Sequence, residues 1–442
     1  MQQITINNRI LNFGKGESKK NAYFCHLKPK MIKTMRYRLS APSAIKATIQ
    51  LPASKSISNR ALIINALAEG NCTPDNLSDC DDTRVMIKAL TDGENTIDIM
   101  AAGTAMRFLT AYLSVTPGER TITGTARMQQ RPIQILVNAL RELGAEIDYV
   151  NNEGFPPLRI KGAELKGNEI TLKGNVSSQY ISALLMIGPA LKNGLVLHLT
   201  GEIISRPYIN LTLQLMQDFG AKAAWTSPES ISVAPQPYTS IPFTVESDWS
   251  AASYWYQIVA LSPRAEIELL GLFHNSYQGD SRGAEVFSRL GITTEFTPKG
   301  VKLKKTGKAP ERLEEDFVDI PDLAQTFVVT CVLMNIPFRF TGLQSLKIKE
   351  TDRIAALRNE LRKLGYVIEE ENDSILTWNG ERCDPDETPV IATYEDHRMA
   401  MAFAPAIFRC PNIQIADPQV VTKSYPGYWE DLKQAGFQVT EE

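Results

Sequence analysis

Leu51-Pro-Ala-Ser-Lys-Ser-Ile-Ser-Asn-Arg60, continued by Ala61-Leu-Ile-Ile-Asn-Ala-Leu-Ala-Glu-Gly70, governs how the remaining sequence is read. Leu51 and Pro52 close an extended run. Ser54 and Ser56 are good cap residues, and residues 61–68 predict a nearly all-apolar helix stopped by Gly70. Lys55 and Arg60 lie at or in its first turns. The exposed amide N–H groups there favour anions over cations, so basic residues fit best if an anion sits there too. Taken alone, the stretch fits an ordinary helix start with two snorkelling basic side chains equally well.

The arrangement recurs. Apolar helices with small or polar openings begin near Lys55, Gly103, Ser177, Trp249, Asp322 and Asp396, at separations of 48, 74, 72, 73 and 74 residues. Amphipathic helices end at Gly93, Gly144, Gly220, Gly291, Gly365 and Gly436, each 38 to 43 residues after the preceding apolar start. Two signals with one period imply six related units of mixed α and β structure, the first shortened. Strand-like runs such as Ile122-Thr-Gly, Ile170-Thr-Leu and Ile267-Glu-Leu-Leu lie between the helices, and 37–51 reads as strand material ahead of the first unit. Helices apolar on nearly every side belong in a core rather than on a solenoid surface. Two groups of three units, joined near 242–248, would leave a cleft between them.

The chain has 442 residues, 43% hydrophobic and 22% charged, with a net charge of -3. That suits a soluble protein of two or three domains and argues against nucleic-acid binding, while allowing a local basic pocket. Six cysteines (Cys25, Cys72, Cys80, Cys331, Cys383, Cys410) form no C-x-x-C pair. With four histidines and no H-E-x-x-H, they suggest a reducing cytoplasm and no structural metal. No apolar run reaches membrane-spanning length. Residues 1–34 fit a short hairpin around Asn7-Asn8, a mobile arm, or sequence upstream of a start at Met35.

Basic residues cluster at helix starts: Lys55 and Arg60; Arg131 beside Pro132, read as the first helical residue; Lys349 and Arg353, with Glu350 between, opening the helix that ends at Leu364; Arg398; and Lys423 before the last helix. Each alone reads as a solvated charge. Together they point to an anion site, for which arginine's bidentate geometry is suited. Ser177, Ser178 and Gln179 form a second candidate anion cup, although capping needs only one serine. Gly103, in Ala102-Gly103-Thr104-Ala105, permits close backbone approach to a ligand. Asp322 and Glu350 are the acidic candidates. Helix starts favour carboxylates in any case, but beside so many cations they suit proton exchange with a substrate.

The segments LPASKSISNRAL, AAGTAMRFL, RMQQRPI, VSSQY, SRPYI, KETDRI, EDHRMAMAF and DPQVVTKSYPGY resemble, in order, the markers of the 5-enolpyruvylshikimate-3-phosphate (EPSP) synthase family, from about residue 40 to 430. The resemblance implies an α/β, two-lobed enolpyruvyl transferase fold, each lobe three βαβαββ units around buried helices (an inside-out α/β barrel). Residues 54–246 would form the N-terminal lobe and 35–53 plus 247–442 the C-terminal lobe, with 1–34 an extension of unknown role. It implies transfer of the enolpyruvyl group of phosphoenolpyruvate to the 5-hydroxyl of shikimate 3-phosphate through a tetrahedral adduct, releasing phosphate, in aromatic amino acid biosynthesis. No metal or cofactor is implied, and a monomer is expected.

By motif match, Lys55, Gly103, Thr104, Arg131, Gln179, Arg353, Arg398 and Lys423 would hold phosphoenolpyruvate. Lys55, Ser56, Arg60, Ser177, Ser178, Gln179, Ser205, Tyr208, Asp322, Ser345 and Lys349 would hold shikimate 3-phosphate. Lys55, Asp322 and Glu350 would carry the proton transfers. Ala53, Ala101 and Ser345 depart from the residues often found there, Gly, Asn and Asn; none removes a charge that the reaction needs. Retained Gly103 implies sensitivity to glyphosate. The related transferase acting on UDP-N-acetylglucosamine commonly carries a loop cysteine that residues 115–127 lack, and a binding protein that only holds phosphorylated ligands is the rival from another class. Lobe closure is expected to move the Lys55 helix start.

Overall fold

The computed structural model describes residues 35–442 apart from Asn71. The hairpin expected around Asn7-Asn8 lies outside the described residues.

Twelve α-helices of the described residues alternate between the two expected kinds. The apolar kind comprises α1 (Lys55–Ala66), α3 (Gly103–Val115), α5 (Ser178–Ile187), α7 (Trp249–Leu261), α9 (Ala324–Leu333) and α11 (His397–Phe403). The amphipathic kind comprises α2 (Asp81–Thr91), α4 (Gln134–Glu142), α6 (Arg206–Asp218), α8 (Gly283–Arg289), α10 (Arg353–Lys363) and α12 (Tyr428–Gln434). All six glycines that follow the second kind have φ between +64° and +104°, a region an L-side chain enters only at a cost. Four of these ends share one hydrogen-bond pattern. After α4, Gly144 N–H donates to Arg141 O (2.9 Å) and Ala145 N–H to Leu140 O (2.9 Å). Gly220, Gly365 and Gly436 and the residues after them repeat it. This is the glycine-closed helix end that satisfies the last free carbonyls and turns the chain into the next strand.

The unit reads βαβαββ. In the fifth, Leu313–Asp316 and Phe338–Thr341 pair in parallel around α9, and Ile375–Trp378 and Glu369–Glu371 follow antiparallel after α10. Five four-stranded sheets and one two-stranded sheet result among the described residues. Their strands bury alternate residues, as one-sided sheets do; Leu158–Gly162, for example, buries Leu158 and Ile160. The apolar helices lie inside. Every residue of α9 is buried, as is every residue of α7 except Ser250. Two separate hydrophobic cores form. One gathers α1, α3 and α5, and the other α7, α9 and α11. The fold is therefore two-lobed, with helices at the centre of each lobe and sheets outside.

The strand expected over 37–51 is two strands in different sheets. β1 (Arg36–Ser40) pairs antiparallel with Gln414–Ala416 and Gln438–Glu441, completing the sixth unit. β2 (Ile45–Gln50) pairs parallel with Ala265–Leu270, opening the fourth. Pro42 falls in the break, where its fixed φ and missing N–H favour a turn over a continuous ladder. The shortened first unit keeps only β3 (Ala68–Glu69), which pairs with Tyr238–Thr239 from the far end of the same core. The α1 helix accordingly ends at Ala66, before the expected Ala68. Leu51 packs in one core and Ala53 in the other, while Val245 and Trp249 make the reverse passage. The two crossings bond to each other, with Ser54 N–H donating to Glu246 O (2.8 Å) and Asp248 N–H to Pro52 O (2.9 Å).

Candidate active site

A cavity of about 650 Å³ is lined by residues from both cores. Of the site residues expected from sequence, all except Lys423 line it. Lys423 sits beyond the wall, where its Nζ donates to Glu395 O (2.7 Å).

On the side of the first core, Lys55 is the first residue of α1, behind Ser54, whose side chain makes no capping bond. Arg60 points inward. Its Nε donates to Thr212 Oγ1 (2.7 Å), Nη2 to Ser182 Oγ (3.0 Å) and Nη1 to Ser56 O (2.9 Å). No carboxylate among the described residues pairs with it, and burial lowers its pKa to about 10. Arg107 is a second such cation, missed in the sequence. Its Nη1 donates to Gly103 O (2.6 Å), and burial together with Arg131 lowers its pKa to about 10. Buried charges without counter-ions are costly. Two on one wall mark a site that an anion completes. One helical turn separates Arg107 from Gly103, so the i, i+4 spacing was the available signal.

Ser177 caps α5 by accepting from Gln179 N–H, and Gln179 Nε2 donates to Thr104 Oγ1 (3.2 Å). Ser178 is the first residue of α5. Ser205 precedes α6 at φ +55° without a capping bond, a conformation that leaves its hydroxyl free at some backbone cost. Pro132 is not the first helical residue, because α4 begins at Gln134 after Ile133. Arg131 instead lies in the loop, against Gly103: a Cβ placed on Gly103 would stand 2.6 Å from Arg131 Nη1 and 2.8 Å from Arg107 Nη1.

Across the cavity, Arg353 opens α10. It is 1% exposed and faces three carboxylates: Asp396 (Nε–Oδ2, 2.7 Å), Glu350 (Nη2–Oε2, 2.8 Å) and Asp322 (Nη1–Oδ1, 3.1 Å). Lys349 and Glu350 precede the cap, which is Asp352 accepting from Ala355 N–H. They therefore sit on a loop rather than in the helix, free to turn toward the cavity. Asp396 caps α11 by accepting from Arg398 N–H (2.9 Å). Asp322 also receives Arg398 Nη2 (2.9 Å) and lies 3.4 Å from Lys349. Ser345 lines the cavity with its hydroxyl buried and unpartnered.

The charges set one another. Burial opposes ionisation of Asp322, yet Arg398, Lys349, Arg353 and Lys55 outweigh it and hold its carboxyl well below the usual range. Burial likewise opposes Glu350, and Arg353, Arg131 and Lys55 hold it low. Burial works against Lys55, but Asp82 (3.9 Å away), Cys80 and Glu350 raise it. His397 is held neutral by burial and by Lys55 and Arg398, with both ring nitrogens unpartnered. Asp82 and His397 join the site without having been assigned to it from sequence. A carboxylate one residue into a helix reads there as ordinary dipole pairing.

The architecture is that of the enolpyruvyl transferases. It matches, with a TM-score of 0.71 and 14% identity, the crystal structure of such an enzyme from Streptomyces tendae, covering 92% of this chain and 99% of that one. It matches the structure of EPSP synthase from Acinetobacter baumannii with a TM-score of 0.73 and 22% identity, covering 92% and 100%. In sequence, residues 39–92 and 90–432 match the family model of EPSP synthase (3-phosphoshikimate 1-carboxyvinyltransferase). A 3-phosphoshikimate 1-carboxyvinyltransferase from Bacteroides fragilis is 76% identical over 405 residues, covering 92% of this chain and 99% of the relative. The chain belongs to the EPSP synthase family.

Proposed function

We propose that this chain transfers the enolpyruvyl group of phosphoenolpyruvate to the 5-hydroxyl of shikimate 3-phosphate and releases phosphate, serving chorismate and aromatic amino acid biosynthesis. The observation that carries this reading is the single cavity in which Lys55, Asp322 and Glu350 stand among Arg60, Arg107, Arg131, Arg353 and Arg398. Six guanidiniums and four lysines line it against four carboxylates, a balance that suits two polyanionic substrates held side by side. Much of the rate would then come from proximity and orientation.

Gly103, Thr104, Arg131, Gln179, Arg353 and Arg398 take phosphoenolpyruvate, with Lys423 reaching it as the cleft closes. Ser56, Arg60, Ser177, Ser178, Ser205, Tyr208, Ser345 and Lys349 take shikimate 3-phosphate, and Lys55 bridges both. Protonation of the enol methylene makes its neighbour electrophilic. The 5-hydroxyl oxygen attacks that carbon while Asp322 accepts the hydroxyl proton. Loss of a methyl proton and of phosphate then restores the double bond. Asp322 is ionised, as a base must be. Glu350 is held ionised by the same cations that bind the substrates. Once bound anions neutralise those cations, the Glu350 pKa rises and the group can pass a proton to and from carbon, with charged Lys55 beside it.

The two cores are proposed as the moving lobes, 54–246 against 35–53 plus 247–442. Because residues of one chain build the whole wall, a cytoplasmic monomer suffices. The missing side chain at Gly103, which lets Arg131 and Arg107 pack against its backbone, predicts inhibition by glyphosate that competes with phosphoenolpyruvate. The test is a coupled phosphate-release assay. Release from phosphoenolpyruvate with shikimate 3-phosphate, and none with UDP-N-acetylglucosamine, is expected. No release from the first pair would sink the reading.

A further inference from the structure

Asp280 belongs to no expected site, yet it is a 4% exposed carboxylate one layer behind the cavity wall. It lies on the 3-10 turn Gly279–Arg282, which leads into α8. Its carboxylate accepts from Tyr208 Oη through both oxygens (3.1 and 3.2 Å) and from Ser250 Oγ. The same Tyr208 hydroxyl stands 3.5 Å from Asp322 Oδ2. One phenolic proton thus lies between the buried Asp280 carboxylate and the part-buried Asp322 carboxylate, closer to Asp280. Among the described residues no cation forms an ion pair with Asp280; Arg398, the nearest basic influence, is bonded to Asp322. The groups facing Asp280 are Asp322, Arg398, Asp248 at the α7 start, Tyr208 and Ser250. Tyr208 belongs to the first core's α6 and Asp280 to the second core's side, so this contact also spans the cleft floor.

The problem Asp280 addresses is visible in the site. Four cations drive the Asp322 pKa down, and a carboxylate held too low is a weak base. A second negative charge behind it, with a tyrosine proton drawn away from it, opposes that trend. We propose that Asp280 is a positioning residue: ionised, it keeps the Tyr208 proton off Asp322 and preserves the basicity of Asp322 for accepting the substrate hydroxyl proton. This rests on the proposed role of Asp322. Burial and the Asp322 charge raise the Asp280 carboxyl to about 6. Protonating Asp280 therefore removes the opposing charge, and turnover falls as pH drops through that range.

The test is the pH profile of kcat at saturating substrates for the wild type and Asp280→Asn, which is neutral at every pH and still accepts from Tyr208. The wild type should lose turnover on an acid limb near pH 6. The variant should show no such limb and sit about tenfold lower at pH 7.5, with both KM values within about twofold, a fraction of the 10²–10⁴ that general-base catalysis contributes. A wild-type profile flat to pH 5 overturns the inference without any variant. So does an acid limb that persists in Asp280→Asn, which would assign it to a substrate phosphate. If Asp280→Asn does not fold, Asp280→Ser, which leaves space for a water on Tyr208, carries the same comparison. Asp322→Asn separates the two levels: retained turnover there refutes the Asp322 assignment, whereas a persistent limb refutes only the role of Asp280.

Discussion

Arg353→Met isolates the energetic centre of the cavity. The guanidinium is 1% exposed and shared by three carboxylates. After its removal Asp322 keeps Arg398 (2.9 Å) and Lys349 (3.4 Å), and Glu350, 25% exposed at its side chain, keeps water. Asp396 is different. It is 0% exposed and, among the described residues, retains the backbone N–H of Arg398 but no hydrogen-bonded cation. The cost therefore concentrates there. Leaving one buried charge of a pair uncompensated costs about 3–5 kcal/mol. Three separate bonds at about 1.5–3 kcal/mol each would exceed that, but the variant regains the desolvation cost of the guanidinium.

The assay is urea unfolding at pH 7.5, following tryptophan emission, with the midpoint shift multiplied by the slope. Two cores make two transitions the natural expectation, and only that of the second core should move. The pH dependence has a definite sign. Asp322 and Glu350 have folded pKa values held below the unfolded values of about 4. Their contribution is complete above that range and is lost as pH falls through the folded values. The gap between wild type and variant should narrow below pH 4. A loss under about 1 kcal/mol at pH 7.5, or one equally large at pH 3, would refute the argument for a buried charge left unpaired.

Gly103→Ala places a methyl within 2.6 Å of Arg131 Nη1 and 2.8 Å of Arg107 Nη1, so both guanidiniums must shift. Steady-state kinetics should show KM for phosphoenolpyruvate and the glyphosate inhibition constant each rising about tenfold or more, equivalent to ~1.4 kcal/mol, with KM for shikimate 3-phosphate little changed. Gly291→Ala combines φ +83° with a Cβ 2.4 Å from Lys308 O and should cost about 2–3 kcal/mol in thermal unfolding. Gly93→Ala, at φ +64° with open space around it, should cost only about 1 kcal/mol.

What could be read from sequence was mostly local. The six glycines were legible because a left-handed residue after a helix selects glycine whatever the tertiary context. The apolar helices were legible because an all-round apolar pattern has few places to go. Pairings over long separations were not. Nothing local to Tyr238–Thr239 says that it completes a sheet with Ala68–Glu69, and the Pro42 break gives a turn but not two destinations for its flanking strands. Within the site, charged helix starts announced the cations, but not that Arg60 would turn inward to Thr212 and Ser182. Asp280 was invisible because its importance comes from Tyr208 and Asp322, 72 and 42 residues away in sequence.

The way the units are closed explains why the cavity lies where it does. The chain's first two described strands complete units four and six, and the end of the first core supplies a strand to unit one. Each core is thus closed by chain that is about to leave it or has just arrived, which forces two crossings. They lie side by side, bonded at Ser54–Glu246 and Pro52–Asp248, and each leads at once into an apolar helix. One begins with Lys55 and the other is capped by Asp248. Rotation of one core against the other would turn about this paired backbone. Lys55 therefore lies near the pivot, while Arg131 lies on a loop and Lys423 ends the 3-10 turn Pro418–Lys423, both further along the chain. Closure would then change what faces Lys55 more than where Lys55 sits, which departs from the expectation that its helix start moves. If Lys55 bridges both substrates as proposed, its place at the pivot lets it bind the first one before the cleft shuts and still be in place when the second is brought against it.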